Sequence, residues 1–193
     1  MALLLGYDVG SSSIKATLLD AKTGKALASS TSPEKELEII AKQAGWAEQH
    51  PDTWWEHVRK ATQQIRGKAK FDPADVKAIG ISYQMHGLVI VDKDKQVLRP
   101  SIIWCDSRAV GIGQEAAREI GAEKCLSRLF NLPGNFTASK LKWVKDNEPD
   151  VYSKIHKMML PGDYIAMKMT DQIRTTPSGL SEGIMWDFEA DGP

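Results

Sequence analysis

The sequence has only two cysteines, Cys105 and Cys125, among its 193 residues. They stand too far apart for a CxxC pair, and two cysteines are too few for the disulfide framework of a small secreted domain. Their scarcity excludes a fold held together by disulfides and is typical of a reducing compartment. We therefore expect a cytoplasmic protein.

Long apolar runs are also missing. The opening segment MALLL has no basic residue and is followed closely by Asp8, so it is too short for the apolar part of a signal peptide. No other stretch approaches the roughly 18 apolar residues that a membrane-spanning helix needs. The sequence thus predicts neither a secretion signal nor a membrane partner.

Neither sign of charge predominates, since the chain carries 25 basic and 25 acidic side chains. Neither kind is gathered in a long block, so the sequence lacks the basic surface that binds nucleic acid or an anionic membrane. A small molecule is the expected partner. The length suits one domain with a hydrophobic core and is short for two.

The N-terminal segment that is present reads as a small meander of strands. Apolar residues at 3–5 lead into a glycine and serine cluster, and apolar and polar residues alternate over 14–19, which predicts two strands joined by a tight turn. A second turn at 20–25 leads to a third strand at 26–32. Residues 33–49 show no clear period, and we predict a loop there.

An amphipathic helix is predicted over 51–66. Pro51 suits the first helical turn and Gly67 suits a stop. The apolar stripe of this helix is formed by Trp54, Trp55, Val58, Ala61 and Ile65.

The rest of the chain mixes strands and helices, which indicates an α/β layer fold with a partly antiparallel sheet covered by helices. Two buried strands are predicted at 76–82 and 88–91. The C-terminal half is predicted to hold helices at about 108–130, at 138–147 with Thr137 as the N-cap, and at 161–169, before a weak strand near 172–176.

The first cluster of candidate functional residues is GYDVGSSSIKATLLD at 6–20. Asp8 ends an apolar strand, and Gly10 allows the backbone of the turn to approach an anion closely. The cluster is neither a P-loop nor a dinucleotide fingerprint, because it runs from strand to strand. The cluster is consistent with two interpretations, a plain hairpin turn and a phosphate-binding turn. A carboxylate beside bound phosphate requires a divalent cation, usually Mg²⁺.

The second cluster is SYQMHG at 82–87, where a predicted strand ends. If the extended conformation continues, Gln84 and His86 share one face and Met85 lies on the other. Gln84 and His86 offer donors and acceptors suited to hydroxyl groups. A histidine buried in the core and bonded to a carbonyl is the alternative for His86.

The third cluster is IIWCDSR at 102–108. Trp104 follows an apolar strand and offers a flat wall, although simple core packing is an equal alternative. For Asp106 and Arg108 a structural turn before a helix is favoured over ligand contact. An aromatic wall beside groups that bind hydroxyls is typical of a sugar site.

Six segments together carry a family resemblance. They are GYDVGSSSIKATLLD, GWAEQHPDTWW, VKAIGISYQMHGLVIVD, VLRPSIIWCDSR, NFTASKLKWV and MMLPGDYIAMKMT. In order and spacing they resemble the N-terminal part of the FGGY carbohydrate kinases from residue 3 to about 188. This resemblance implies a ribonuclease H-like domain of the actin and Hsp70 ATPase superfamily, with a mixed sheet flanked by helices. Residues 1–193 would form the N-terminal sugar-kinase domain, incomplete at its C-terminal end, and the nucleotide-binding C-terminal domain would be absent.

On the nucleotide side, the resemblance implies ATP and Mg²⁺ as cofactors. Asp8 is similar to the family's aspartate that acts on Mg²⁺ and phosphate. The first phosphate loop, which faces the ATP triphosphate, would be Gly10, Ser11, Ser12 and Ser13. The general base would be an aspartate downstream of this chain.

On the sugar side, Met85 and His86 resemble the residues that contact the ketose in family members acting on xylulose. Trp104 matches a tryptophan of the polyol site, and Asn135 matches a tyrosine position that reaches the substrate in glycerol kinases. D-xylulose is the implied substrate, and the implied reaction is transfer of the ATP γ-phosphoryl group to it.

Two alternatives remain at this point. The first is a kinase of the same family that acts on gluconate, glycerol or another pentulose, because the choice of sugar rests on the tripeptide at 85–87. An actin-like or chaperone-type ATPase explains the first cluster equally well, but it has no need for Gln84, Met85 and His86 beside Trp104. The resemblance also leaves open a homodimer of the full-length enzyme.

Overall fold

The computed structural model describes residues 1–193, and the chain divides into two compact units. The first, the sheet unit, consists of Met1–Glu38 and Asp52–Gln84. The second, the helical unit, consists of Ile39–Pro51 and Met85–Pro193. No helix in the chain has both the length and the hydropathy to cross a membrane.

The sheet unit is built from β1 (Leu3–Val9), β2 (Ile14–Asp20), β3 (Ala26–Ser32), α1 (Pro51–Lys68) and β5 (Val76–Tyr83), with a short 3-10 helix at Pro73–Asp75. Its strands form one mixed, four-stranded sheet with the order β3-β2-β1-β5. The pairs β1/β2 and β2/β3 are antiparallel, whereas β1 and β5 are parallel. The predicted meander is therefore confirmed.

The core of the sheet unit lies between the sheet and α1. Alternate residues of β1 and β2 are buried, and the Ser30 hydroxyl on β3 donates to the Ala61 carbonyl on α1 at 2.9 Å. The predicted stripe of α1 is buried except for Trp55, which is half-buried. The predicted stop at Gly67 is wrong, because the helix continues to Lys68.

The segment 76–82 forms a strand as predicted, but the prediction that this strand is buried is wrong. β5 forms as a strand, but most of its residues are exposed, and the Ile79 side chain is 50% accessible. The reason is its position at the end of the sheet order, where it pairs with β1 alone. An apolar run predicts a strand but does not predict whether a layer covers it.

The helical unit contains two small antiparallel ladders and six helices. The ladders pair β4 (Glu48–Gln49) with β7 (Ser101–Ile102), and β6 (Val89–Val91) with β8 (Lys157–Met159). The predicted buried strand at 88–91 is confirmed by β6. The helices are α2 (Val110–Ile120), α3 (Ala122–Leu129), α4 (Thr137–Asn147), α5 (Pro149–Tyr152), α6 (Pro161–Thr170) and α7 (Pro177–Glu182).

Three local predictions for the helical unit are corrected. The helix predicted at 108–130 is two helices, because Gly121 between them has a φ of 93° that ends α2. Thr137 is the first residue of α4, and Phe136 is its N-cap. No strand forms near 172–176; instead the Thr176 hydroxyl caps α7 by accepting from the Gly179 N–H at 3.0 Å.

The core of the helical unit lies between its small ladders and α4. Its most buried members are Leu88, Ile90, Ile102 and Val144, packed against partly buried side chains that include Trp143. The start of α4 lies next to the turn at 85–87 and to the segment after β7, because Phe136 contacts His86 and Asn135 bonds to the Asp106 carbonyl.

Candidate active site

Asp8 lies near the C-terminal end of β1, on the sheet face opposite α1. Its neighbours Tyr7 and Val9 are buried on the α1 side, so the alternation of a strand directs Asp8 the other way. The Asp8 carboxylate is half-exposed, and the Lys15 ammonium lies 3.3 Å from its Oδ2. A solvent-accessible carboxylate therefore stands at the end of the central strand pair.

The turn after β1 spans Gly10–Ser13 and joins two antiparallel strands, as predicted. The Gly10 N–H donates to the Ser13 carbonyl at 3.1 Å. A Cβ at position 10 would approach the same oxygen to 3.1 Å, which is tighter than ordinary packing, so glycine suits this tight turn. The turn is short, polar and close to Asp8 along the chain.

Gln84 follows β5 directly and closes the sheet unit. Its backbone N–H donates to the Val9 carbonyl at 2.9 Å, and the residue is buried. The prediction that Gln84 and His86 share a strand face is wrong, because β5 ends at Tyr83 and the next residues form a turn. The turn exists because His86 has a φ of 59°, outside the extended region.

His86 is held in the helical unit by several contacts. Its N–H donates to Glu182 Oε1, and its ring Nδ1 lies 3.3 Å from the same oxygen. The Lys140 ammonium donates to the His86 carbonyl at 2.8 Å. The Phe136 ring packs edge-on against the imidazole, with 4.2 Å between ring centroids. His86 is thus neither loose on the surface nor part of the apolar core.

Gly87 completes the turn for a steric reason. A Cβ at this position would lie 2.5 Å from Cγ of Pro161, the first residue of α6. Real Cβ atoms do not come so close, and a proline ring has little freedom to move. The glycine of the Met-His-Gly tripeptide is therefore explained by close packing against α6.

Met85 and Trp104 expose large apolar side chains in the helical unit, at 53% and 47% accessibility. The core-packing alternative for Trp104 is therefore wrong. The Asn135 amide donates to the carbonyl oxygens of Asp106 and Trp104, the latter at 3.5 Å. The buried Asn135 Oδ1 has no hydrogen-bond partner within the chain.

The start of α4 brings these residues together. Asn135 bonds to the turn at 104–106, and the next residue, Phe136, contacts His86. His86 of the second cluster and residues 104–106 of the third therefore meet at one place in the helical unit. Aromatic surface beside amide and imidazole groups is a typical environment for a sugar.

Asp106 and Arg108 have a structural role, as favoured from the sequence. Both are buried, and the Arg108 guanidinium contacts Asp106 Oδ2 and Glu48 Oε1, each at 2.7 Å. The Ala47 N–H donates to Asp106 at 2.6 Å. The Arg108 guanidinium also stacks over the Trp46 ring, 3.7 Å from its centroid. This buried charge cluster ties the segment 39–51 to the rest of the helical unit.

Sequence reasoning missed Lys140 and Glu182, both of which contact His86. Lys140 shares a buried helix face with Thr137 and Val144, and a lysine within an inward-facing stripe is the signal that would have found it. Nothing near Glu182 in the sequence points to His86, which lies 96 residues earlier.

Comparison with known proteins decides the family. The model of the FGGY family of carbohydrate kinases, N-terminal domain, matches residues 3–191. The chain belongs to this family. The resemblance found in the six sequence segments is thereby confirmed.

Individual relatives agree with this assignment. The chain is 33% identical to the xylulose kinase of Escherichia coli over 184 residues, covering 95% of this chain and 36% of that protein. It thus spans about a third of the relative's length. Two solved structures, both 26% identical to this chain, are also similar. The xylulose kinase from Rhodospirillum rubrum matches with a TM-score of 0.87 over 98% of this chain and 38% of that chain. The gluconate kinase from Lactobacillus acidophilus matches with a TM-score of 0.84 over 97% of this chain and 38% of that chain.

The family membership also confirms the predicted fold class. The mixed sheet with its covering helix, and the structural likeness to FGGY sugar kinases, agree with the actin and Hsp70 type of ATPase fold.

Proposed function

We propose that residues 1–193 are the N-terminal domain of a longer ATP-dependent sugar kinase, incomplete at its C-terminal end. In this proposal the full-length enzyme transfers the γ-phosphoryl group of ATP to D-xylulose, giving xylulose 5-phosphate. Family membership supports a carbohydrate kinase. The names of the relatives that match most of this chain favour xylulose among the sugars.

The observation that carries the proposal is the meeting of the His86 turn with Trp104 and Asn135 at the start of α4. The exposed Trp104 ring suits the apolar face of a sugar, and the unpartnered Asn135 Oδ1 suits a sugar hydroxyl donor. Met85 and His86 would contact the ketose. Gln84, the residue before Met85, is the remaining candidate for a hydroxyl contact.

Asp8 and the turn at Gly10–Ser13 are assigned to the nucleotide. The tight glycine turn offers backbone N–H groups and hydroxyls to the phosphates of ATP. The chain has no group of three or more histidine, cysteine or acidic side chains arranged to hold a metal ion. The exposed Asp8 carboxylate suits Mg²⁺, which proteins often bind through one or two carboxylates together with substrate phosphates.

The proposed reaction is a simple displacement at phosphorus. A sugar hydroxyl oxygen forms a bond to the γ-phosphorus, the bond from that phosphorus to the oxygen bridging to the β-phosphate breaks, and ADP leaves. The hydroxyl proton passes to a general base, which we assign to an aspartate beyond residue 193. Mg²⁺, when bound, neutralises phosphate charge. The residues of this chain position the two substrates and complement their charge.

The proposal also covers the cellular compartment, the partners and the oligomeric state of the enzyme. Both cysteines are free, which suits the cytoplasm. Balanced charge argues against nucleic acid or an anionic membrane surface as a partner. We retain a homodimer of the full-length enzyme as a hypothesis.

A substrate panel on the full-length enzyme tests the proposal. ADP release is measured with MgATP and D-xylulose, gluconate, glycerol or another pentulose, and the substrates are compared by kcat/KM. We expect D-xylulose to give the highest value. A higher value for gluconate would support the rival kinase, and ADP release that no sugar stimulates would support a non-kinase ATPase.

A further inference from the structure

His86 has a backbone conformation that needs support from its surroundings. Its φ of 59° lies in the left-handed region, which costs free energy for any residue with a Cβ, although histidine tolerates it better than most. Such a residue keeps this conformation only when neighbouring groups hold it there. The imidazole direction depends on this backbone angle, because the ring is attached to the same Cα.

Two charged side chains bond to the peptide groups on either side of this residue. The Glu182 carboxylate accepts from the His86 N–H, and the Lys140 ammonium donates to the His86 carbonyl at 2.8 Å. Hydrogen bonds to charged groups are stronger than those between neutral groups. Together they restrain the peptide planes before and after His86.

Glu182 and Lys140 are placed by helices that are themselves joined. The Ala138 N–H, in the first turn of α4, donates to the Gly183 carbonyl at the end of α7 at 3.1 Å. This bond fixes the end of α7 against the start of α4. Glu182 on α7 and Lys140 on α4 therefore reach the same residue from two connected supports.

Burial of the Lys140 ammonium costs free energy, because a charged group loses its hydration. Its side chain has 0% accessibility, and the His86 carbonyl is the one hydrogen-bond acceptor of its ammonium in this chain. An apolar side chain of similar length would avoid the desolvation cost. Stability alone therefore does not account for a lysine here, whereas a need to restrain the His86 carbonyl does.

The electrostatic surroundings agree with this geometry. Burial lowers the pKa of the Lys140 ammonium to about 8, an effect that Arg108 adds to and that Asp106, Cys105 and Glu182 oppose. Near neutral pH the ammonium keeps its charge and its hydrogen bond to the carbonyl. The lysine is thus charged under the conditions in which a kinase works.

We propose that Lys140 and Glu182 are positioning residues that hold His86 in its left-handed conformation and so direct its ring toward the sugar. They act through His86 and do not touch the substrate themselves. The proposal rests on the assignment of His86 to the sugar site in the proposed function.

The first arm of the test measures steady-state kinetics of the full-length enzyme with MgATP and D-xylulose. Lys140→Met and Glu182→Ala are compared with Lys142→Met, which removes an exposed lysine from the same helix. We expect the first two variants to raise the sugar KM about ten-fold, the loss expected for one hydrogen bond to a charged group, and to leave the ATP KM unchanged. The control should match wild type.

The second arm measures amide hydrogen exchange in the 193-residue chain without any ligand. Lys140→Met and Glu182→Ala should accelerate exchange about ten-fold within residues 85–88, because this turn opens locally when a restraint is lost. Exchange in the sheet unit should stay unchanged, and Lys142→Met should leave the whole pattern unchanged.

The two arms separate this proposal from the proposed function. If wild type does not phosphorylate D-xylulose, the substrate assignment fails, while exchange still tests the restraint and the kinetics are repeated with the sugar of the panel that is turned over. If Lys140→Met does not fold, the partly exposed Glu182→Ala decides. Unchanged exchange at 85–88, faster exchange spread over the whole helical unit, or an unchanged sugar KM overturns the proposal.

Discussion

The Lys15 ammonium lies 3.3 Å from Oδ2 of Asp8 across the β1/β2 pair, where the two residues are direct register partners. Both side chains are about half exposed. An exposed pair of this kind contributes little to stability, because water and salt screen it. Asp8 is thus free to serve a charged ligand without cost to the fold.

We predict that Asp8→Asn lowers kcat of the full-length enzyme by about 100-fold or more while sugar affinity changes little, because in the proposed function the lost charge faces the phosphates and metal. The free energy of unfolding should change by less than about 0.5 kcal/mol. Kinetics and urea denaturation measure the two quantities. Glu56→Gln, which removes an exposed carboxylate paired with Lys60, is the control. If kcat stays within a few-fold of wild type, the role of Asp8 is wrong.

A second prediction concerns the His86 ring. His86→Ala should raise the KM for D-xylulose by the equivalent of about 1 to 3 kcal/mol, the value of a buried hydroxyl contact, and leave sugar-independent ATPase activity nearly unchanged. His86→Gly also removes the ring but accepts the left-handed φ without strain. It should therefore show a similar KM and a smaller loss of stability.

The exposed His156 supplies the matched control for this comparison. His156→Ala should behave as wild type in sugar and ATP kinetics. Equal damage to both activities by His86→Ala, with a lowered Tm, would indicate that His86 serves only the fold.

A third prediction concerns the buried charge cluster. Arg108→Met should lower the free energy of unfolding of the chain by about 3 to 5 kcal/mol, because it leaves the buried Asp106 carboxylate without its cation, whereas Glu48 keeps its ion pair with Arg99. Arg118→Met, at an exposed position on α2, should change it by less than about 0.5 kcal/mol. Chemical denaturation measures both, and equal values would contradict the structural role of Arg108.

A fourth prediction follows from the pKa of Lys140, which burial lowers from its ordinary value of 10.5 to about 8. Below pH 8 the lysine is protonated in both folded and unfolded chains, so the burial cost is constant. Between about pH 8 and 10.5 the unfolded chain binds more protons, so the free energy of unfolding rises with pH. The total rise contributed by Lys140 should be about 3 kcal/mol.

This contribution is isolated by comparing wild type with Lys140→Met at each pH, since other groups titrate in both proteins. The difference between wild type and variant should shift in favour of wild type as pH rises through that window. Lys142→Met, whose lysine is exposed, should run parallel to wild type. A constant difference between wild type and Lys140→Met would show that the pKa of Lys140 is not lowered.

A fifth prediction concerns the 193-residue chain by itself. It should fold, yet show no steady release of ADP with D-xylulose and MgATP, because we assign the general base and most of the nucleotide site to downstream residues. A coupled ADP-release assay measures this. Steady turnover that Asp8→Asn abolishes would mean that a base lies within these residues, and the assignment of the base would be wrong.

Much of the sheet unit was predictable because its signals are local. Alternating apolar residues indicate β1 and β2, a glycine and serine cluster indicates the turn between them, and a stripe at helical spacing indicates α1. Each signal depends on residues within a few positions of one another, whose backbone preferences act before any tertiary contact forms. The exposure of β5 was not predictable, because it depends on which elements pack over the strand.

The candidate sugar site also combines features that the local sequence predicts with features that depend on tertiary packing. The sequence by itself determined the family, and with it the residues to examine at 84–87 and 104. Only the tertiary structure decided that His86 turns away from the extended conformation, because the groups that hold it, Lys140 and Glu182, lie 54 and 96 residues away in the chain. Hydrogen bonds between such distant residues exist only after the helices have packed, so no pattern near His86 predicts them.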